Sequence, residues 1–168
     1  MTHVPESIRA KPTMTARVLR AIGWLEKVPH TVLALPLRLA VATVFWNSAM
    51  AKLANWNSAL ELFREDYQVP LVPPEPAAYL AVSIELAAPV LLMLGLATRL
   101  VALVLLGMTA VIEIFVYPLA WPTHIQWAAM LLVLLCRGAG NWSLDHLVYE
   151  RLGRAHRGGP PHAAAGER

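Results

Sequence analysis

The chain has little formal charge through its middle and almost no cysteine. From residue 77 to residue 136 the only formal charges are Glu85, Arg99 and Glu113. A soluble domain of 168 residues cannot bury so long an apolar segment. The hydrocarbon of a bilayer solvates such a segment, and helices pair their own backbone polar groups there. The shortage of charge therefore excludes an ordinary soluble domain and favours an integral membrane protein.

The shortage of cysteine also excludes a class of enzyme. Cys136 is the single cysteine, so the chain has no intramolecular disulfide and no C-x-x-C pair, and a thiol–disulfide oxidoreductase acting alone is excluded. No flavin, haem or dinucleotide motif is present either. An oxidoreductase role would therefore need a partner subunit or a directly bound quinone. The net charge of +3 lies at the chain ends beside the apolar blocks, which is typical of membrane proteins and not of nucleic-acid binding.

Four apolar blocks predict four transmembrane helices, near residues 33–53, 77–96, 100–120 and 123–136. At 1.5 Å per residue the second block spans about 30 Å, which is one hydrocarbon thickness. The fourth block is short, so it needs a thin part of the bilayer, an extension through Arg137, or support from its neighbours. We therefore predict an all-α polytopic membrane protein built as a four-transmembrane-helix bundle.

Shorter amphipathic segments predict helices at the membrane surface. One is expected at residues 16–27, a second at Trp56–Tyr67, and a third from an N-cap at Ser143 through Arg154. The prolines between residues 70 and 76 are expected to forbid a helix there. The predicted organisation is a disordered lead (residues 1–15) and interfacial helix at 1–30, a four-helix transmembrane domain at 31–147, and an interfacial helix end with a disordered tail (from residue 155) at 148–168.

The distribution of Lys and Arg predicts the orientation in the membrane. Both terminal flanks are basic and the short turn at 97–99 carries Arg99, whereas the 54–76 loop has one Arg and the 118–123 link has no charge. Cytoplasmic segments of membrane proteins carry the excess of Lys and Arg. We therefore expect a multi-pass protein of the bacterial inner membrane with both termini in the cytoplasm.

Ionisable side chains inside the apolar blocks are the first candidates for a functional site, because each is costly in hydrocarbon. Helix rise places one such group in the outer half of each predicted span. These four residues are Lys52, Glu85, Glu113 and His124. Further polar candidates for a buried or ligand-binding site are Asn47, Thr109, Tyr117 and Arg38, the last on the same face of the first span as Lys52.

Several interpretations of these residues remain open. In one, Lys52 neutralises Glu85 or Glu113 and the ion pair only fixes the packing. In another, the cluster binds a small polar ligand, a quinone head group or a proton, since hydrocarbon favours the neutral form of a carboxyl group. A metal site at Glu113 and His124, with Glu85, is a weaker alternative because these residues do not recur at a metal-site spacing. No resident metal or cofactor is evident from the sequence.

Short motifs in a fixed order carry a family resemblance. Arg38 opens the first span, Lys52 closes it, and Glu85 with the following Leu stands in the middle of the second. The stretch GLATR follows at residues 95–99, and RGAG with a downstream SLD follows at residues 137–145. In order and spacing these pieces resemble the DoxX family of four-helix bacterial membrane proteins, over roughly residues 35–147.

The resemblance implies a broad function and no particular catalytic residue. Members are associated with thiosulfate:quinone oxidoreduction, with membrane complexes that handle oxidative and thiol stress, and with gene clusters for metal-handling peptides. We therefore expect a membrane subunit linked to redox, quinone, stress or metal homeostasis, partnered by the lipid bilayer and by an oxidoreductase subunit or a metal-binding peptide system. The alternative is a non-enzymatic transporter of a small solute or metal species, or a membrane assembly partner.

Overall fold

A computed structural model describes residues 13–66 and 72–157, with side chains through residue 151. Every regular element in these residues is helical. The elements are α1 (Met14–Leu25), α2 (His30–Ala54), α3 (Trp56–Glu65), α4 (Pro74–Leu94), α5 (Thr98–Phe115), a 3₁₀ turn (Pro118–Ala120), α6 (Trp121–Arg137) and α7 (Leu144–Arg157).

Four of these segments are long and apolar enough to cross a membrane: α2, α4, α5, and α6 together with the 3₁₀ turn that precedes it. The added turn brings the fourth segment to 20 residues, Pro118–Arg137, which removes the shortfall expected from its apolar block. The prediction of an all-α polytopic bundle is confirmed.

Two expected boundaries were wrong, both near prolines. α4 begins at Pro74 and includes Pro76, although we expected these prolines to forbid a helix. The first turn of a helix has no internal acceptors for its N–H groups, so proline is tolerated there. The third span ends at Phe115 and not near residue 120, because the chain leaves the helix at Tyr117 and turns through Pro118.

The surface helices form close to their predicted positions. The hydroxyl of Ser143 accepts the N–H of His146 at 3.3 Å, which confirms this residue as the N-cap of α7. Residues 14–15 and 155–157 are helical, which corrects the disorder predicted there. The remaining predictions of disorder, at residues 1–12 and 158–168, lie outside the described residues, as does Tyr67.

The core lies where the four spans meet. α2 packs along α4, and α5 packs along α6 as an antiparallel pair. Phe45, Leu92, Leu105 and Leu134 fill the centre and are at most 2% exposed. Buried alanines on α2, among them Ala49, let the neighbouring helices approach closely.

The bundle has two ends, which we name by the connections they carry. The hairpin end contains the turn from Gly95 to Ala97 between α4 and α5, together with the start of α2 and the link from α6 to α7. Gly95 ends α4 in the left-handed conformation that favours glycine. The loop end contains the end of α2, all of α3, and the 3₁₀ turn between α5 and α6.

Candidate functional site

The ionisable residues near the loop end form two separate pairs. In the first, which we call the closed pair, Lys52 Nζ lies 2.7 Å from Glu85 Oε1 and 2.8 Å from Oε2. Ser48, one turn before Lys52 on α2, accepts from Nζ at 2.7 Å and donates to Glu85 Oε1 at 3.1 Å. Residues four apart on a helix share one face, so α2 presents both donors to α4.

The closed pair is sealed inside the bundle. The Glu85 side chain is 1% exposed and that of Lys52 is 10% exposed. Both carboxylate oxygens already accept hydrogen bonds from Lys52. The opposite charge and the hydrogen bonds offset the free-energy cost of removing the Glu85 carboxylate from water. The arrangement ties α2 to α4, and it leaves little of the carboxylate for a ligand.

The second pair, which we call the open pair, joins α5 to α6. His124 Nδ1 lies 2.5 Å from Glu113 Oε2. Glu113 is near the last turn of α5 and His124 is in the first turn of α6, so the tight connection at the loop end brings them together. The His124 ring also packs against Trp127, with ring centroids 5.0 Å apart. Within the described residues, Nε2 of His124 forms no hydrogen bond.

A cavity of about 210 Å³ opens beside this second pair. Apart from the two polar side chains and Thr109, its lining is apolar, and the Thr109 hydroxyl is occupied by the carbonyl of Leu105 at 2.8 Å. The rim is exposed on the outside of the bundle. Its residues are Ile114, Trp121 and Ile125. The cavity is therefore almost entirely apolar, and the paired Glu113 and His124 side chains form part of its wall.

Two further candidates are exposed to the surroundings of the bundle. Asn47 is on an exposed side of α2, and Tyr117 is 43% exposed just beyond α5. Within the described residues, no group of three or more His, Cys, Asp or Glu side chains is placed to hold a metal ion. Glu85 belongs to the closed pair, so the metal alternative at Glu113 and His124 retains only two of its three residues.

Arg38 lies at the opposite end of the bundle from Lys52. Fourteen residues separate them on α2, which is about 21 Å of helix rise. The buried guanidinium donates from Nε to Leu92 O at 2.5 Å, from Nη2 to Met93 O, and from Nη1 to Trp142 O at 3.0 Å. It neutralises the last carbonyls of α4 and ties them to the link before α7. Arg38 is thus a structural clamp at the hairpin end.

Sequence reasoning missed two residues that complete these contacts. Asp145 accepts the backbone N–H groups of Ala97 and Thr98 at 2.7 and 2.9 Å, so it caps the start of α5 from another helix. Ser48 joins the closed pair. Its position four residues before Lys52 is a signal visible in the sequence, whereas the contact of Asp145 depends on how α7 folds back.

Comparison with known proteins gives one match. The protein-family model DoxX matches residues 33–118, which is just over half of the chain. The match covers α2 to α5 and stops before the open pair's histidine and the RGAG motif. No curated protein and no solved structure matches the chain.

Proposed function

Because the chain belongs to the DoxX family and carries four membrane-crossing helices, we propose that it is a membrane subunit of a redox system that binds a quinone head group between α5 and α6. The observation that supports this proposal is the open pair in a cavity that faces the bilayer. Quinones dissolve in the hydrocarbon, so a site for them must be open to lipid and must offer polar contacts only to the head group.

The size of the cavity fits this assignment. Its volume of about 210 Å³ is below the roughly 300–1,000 Å³ of a site that encloses a drug-sized ligand. It has room for a ring but not for a long tail. The tail would pass over the rim at Ile114 and Ile125 and remain in the lipid.

The residues of the pair have matching chemical roles. A bound quinone supplies reversible transfer of two electrons and two protons. The contact between Nδ1 and Glu113 holds the His124 ring in place. With Nδ1–H donating to Glu113, Nε2 accepts from a quinol hydroxyl; in the other tautomer, Nε2–H donates to a quinone carbonyl. The electrons would come from a partner oxidoreductase subunit, since this chain has no redox motif of its own.

The binding test uses purified protein in nanodiscs and a short-chain ubiquinone analogue, with equilibrium binding as the readout. Glu113→Gln should weaken binding by about five- to tenfold, because the neutral amide makes a hydrogen bond to His124 that is weaker by about 1–1.5 kcal/mol and holds the ring less firmly. The matched control is Glu75→Gln, which removes an exposed carboxylate at the same end of the bundle. Failure of the wild-type protein to bind the analogue, or equal binding by Glu113→Gln, would refute the proposal.

We also propose that the hairpin end and both termini face the cytoplasm of a bacterial inner membrane. The hairpin end carries Arg99, Arg137 and Arg151, whereas α3 at the loop end carries Glu61 and Glu65. In a Cys136→Ser background, an impermeant maleimide should label Glu61→Cys in intact cells and Val148→Cys only after permeabilisation. The reverse pattern would invert the topology.

A further inference from the structure

A second cavity, of about 560 Å³, lies at the hairpin end, far from the open pair. We name it the arginine cavity, because Arg99 and Arg137 line it together with Asn141 and His146. Arg99 is the second residue of α5 and Arg137 is the last residue of α6. The cavity therefore lies at the level where the spans end and the lipid head groups begin.

The two arginines have spare hydrogen-bonding capacity. Arg99 Nη2 donates to Cys136 O at 3.4 Å, and within the described residues the side chain of Arg137 forms no hydrogen bond or ion pair. A guanidinium carries five N–H donors in a planar fork that matches a phosphate or carboxylate. Most of these donors remain available for an anion.

Acidic groups near the arginines are already engaged. Asp145 lines the cavity, but its two oxygens accept the backbone N–H groups of Ala97 and Thr98. His146 Nε2 lies 3.1 Å from Glu150 on the next turn of α7. Two arginines face one carboxylate in the lining, so the cavity carries a net positive charge. Gly138, which also lines the cavity, has a φ of +75°, a backbone conformation that favours glycine.

An apolar groove adjoins the same arginine. Arg137 is shared between the arginine cavity and a groove of about 800 Å³ that runs between α2 and α6. The groove is lined by Leu33, Leu37, Leu132 and Val133. The positive cavity, at the depth of the head groups, fits a phosphate, and the apolar groove fits an acyl chain. Because the cavity and the groove meet at Arg137, together they fit a phospholipid.

We propose that the hairpin end binds an anionic phospholipid, with its phosphate between Arg99 and Arg137 and an acyl chain in the groove between α2 and α6. The shared chemistry is a phosphate group, which free phosphate also offers. The groove favours the lipid, because inorganic phosphate has nothing to place there. This site is separate from the open pair and does not depend on quinone binding.

The test is native mass spectrometry of the full chain with phosphatidylglycerol and phosphatidylcholine, alongside thermal stability in inorganic phosphate. We expect preferential binding of phosphatidylglycerol. Arg99→Gln with Arg137→Gln should weaken it by about thirtyfold, because each arginine near a membrane surface contributes about fivefold. Arg151→Gln is the matched control. It removes an exposed positive charge from the same end but lies outside the cavity, so it should change binding little.

A second variant tests the groove without touching charge. Leu132 is 47% exposed, so Leu132→Trp should fold while filling the groove. It should reduce phosphatidylglycerol binding severalfold. Equal binding of the two lipids, equal losses in Arg151→Gln and the double variant, or stabilisation by inorganic phosphate that matches the lipid would each overturn the proposal.

Discussion

The closed pair and the open pair each contain one carboxyl group, Glu85 on α4 and Glu113 on α5, but the surroundings of the two groups differ. Glu85 accepts two hydrogen bonds from the Lys52 ammonium and a third from Ser48, and its side chain is 1% exposed. Glu113 has the His124 imidazole and is 20% exposed beside a cavity. The Lys52 ammonium bonds both oxygens of Glu85 and fixes that carboxylate in place, whereas Glu113 contacts its imidazole through one oxygen beside a cavity. The same residue type thus supports packing in one pair and offers chemistry in the other.

The location of each pair agrees with this division. The closed pair joins α2 to α4, and Phe45 and Ala49 are buried beside it on α2. The open pair joins α5 to α6, where the Glu113 side chain is 20% exposed beside the cavity and the His124 side chain is 7% exposed. Burial strengthens an ion pair electrostatically but raises the cost of breaking it. A group that must change protonation or exchange a ligand is therefore better placed at the rim.

The largest expected effect is the loss of stability in Lys52→Met. This change leaves Glu85 buried without its cation, and breaking a buried pair in this way costs about 3–5 kcal/mol. The free energy of unfolding in detergent, measured by denaturant titration, should fall by that order. Adding Glu85→Gln should recover part of the loss, since the stranded charge is removed.

A neutral result for Lys52→Met would show that the pair does not support the bundle. Arg64→Met provides the control, because it removes a cation from an exposed pair with Glu75. Exposed pairs contribute about 0–1 kcal/mol. The difference in the free energy of unfolding between Lys52→Met and Arg64→Met measures how much the burial of an ion pair adds to the cost of breaking it.

Much of the fold follows from the sequence, but the pairing does not. Hydropathy locates the four spans because apolar length is a direct requirement of the bilayer. It also gives the depth of Lys52, Glu85, Glu113 and His124 along their helices. Depth does not determine how each helix is rotated about its axis, so the sequence allows either Glu85 or Glu113 as the partner of Lys52. In the fold, α2 packs against α4, and Lys52 therefore pairs with Glu85.

The same limit explains Arg38. Its position on one face with Lys52 is visible in the sequence, yet its partners are backbone carbonyls of Leu92, Met93 and Trp142, which carry no sequence signal. Asp145 contacts backbone N–H groups for the same reason. Contacts between a side chain and a distant backbone require the folded arrangement before they can be identified.

The smaller expected effect concerns the stability of Glu113→Gln. The amide keeps the volume of the carboxyl group and retains a hydrogen bond to His124, but it removes the negative charge. Because the amide still pairs with the imidazole and leaves no unpartnered charge, the free energy of unfolding should fall by only about 0.5–1.5 kcal/mol, the range of an ordinary hydrogen bond. Denaturant titration beside Lys52→Met, under identical conditions, gives the comparison. A loss as large as that of Lys52→Met would mean that both pairs are structural and would remove the distinction on which the quinone proposal depends. A small loss of stability together with a large loss of quinone binding would assign packing to the closed pair and chemistry to the open one.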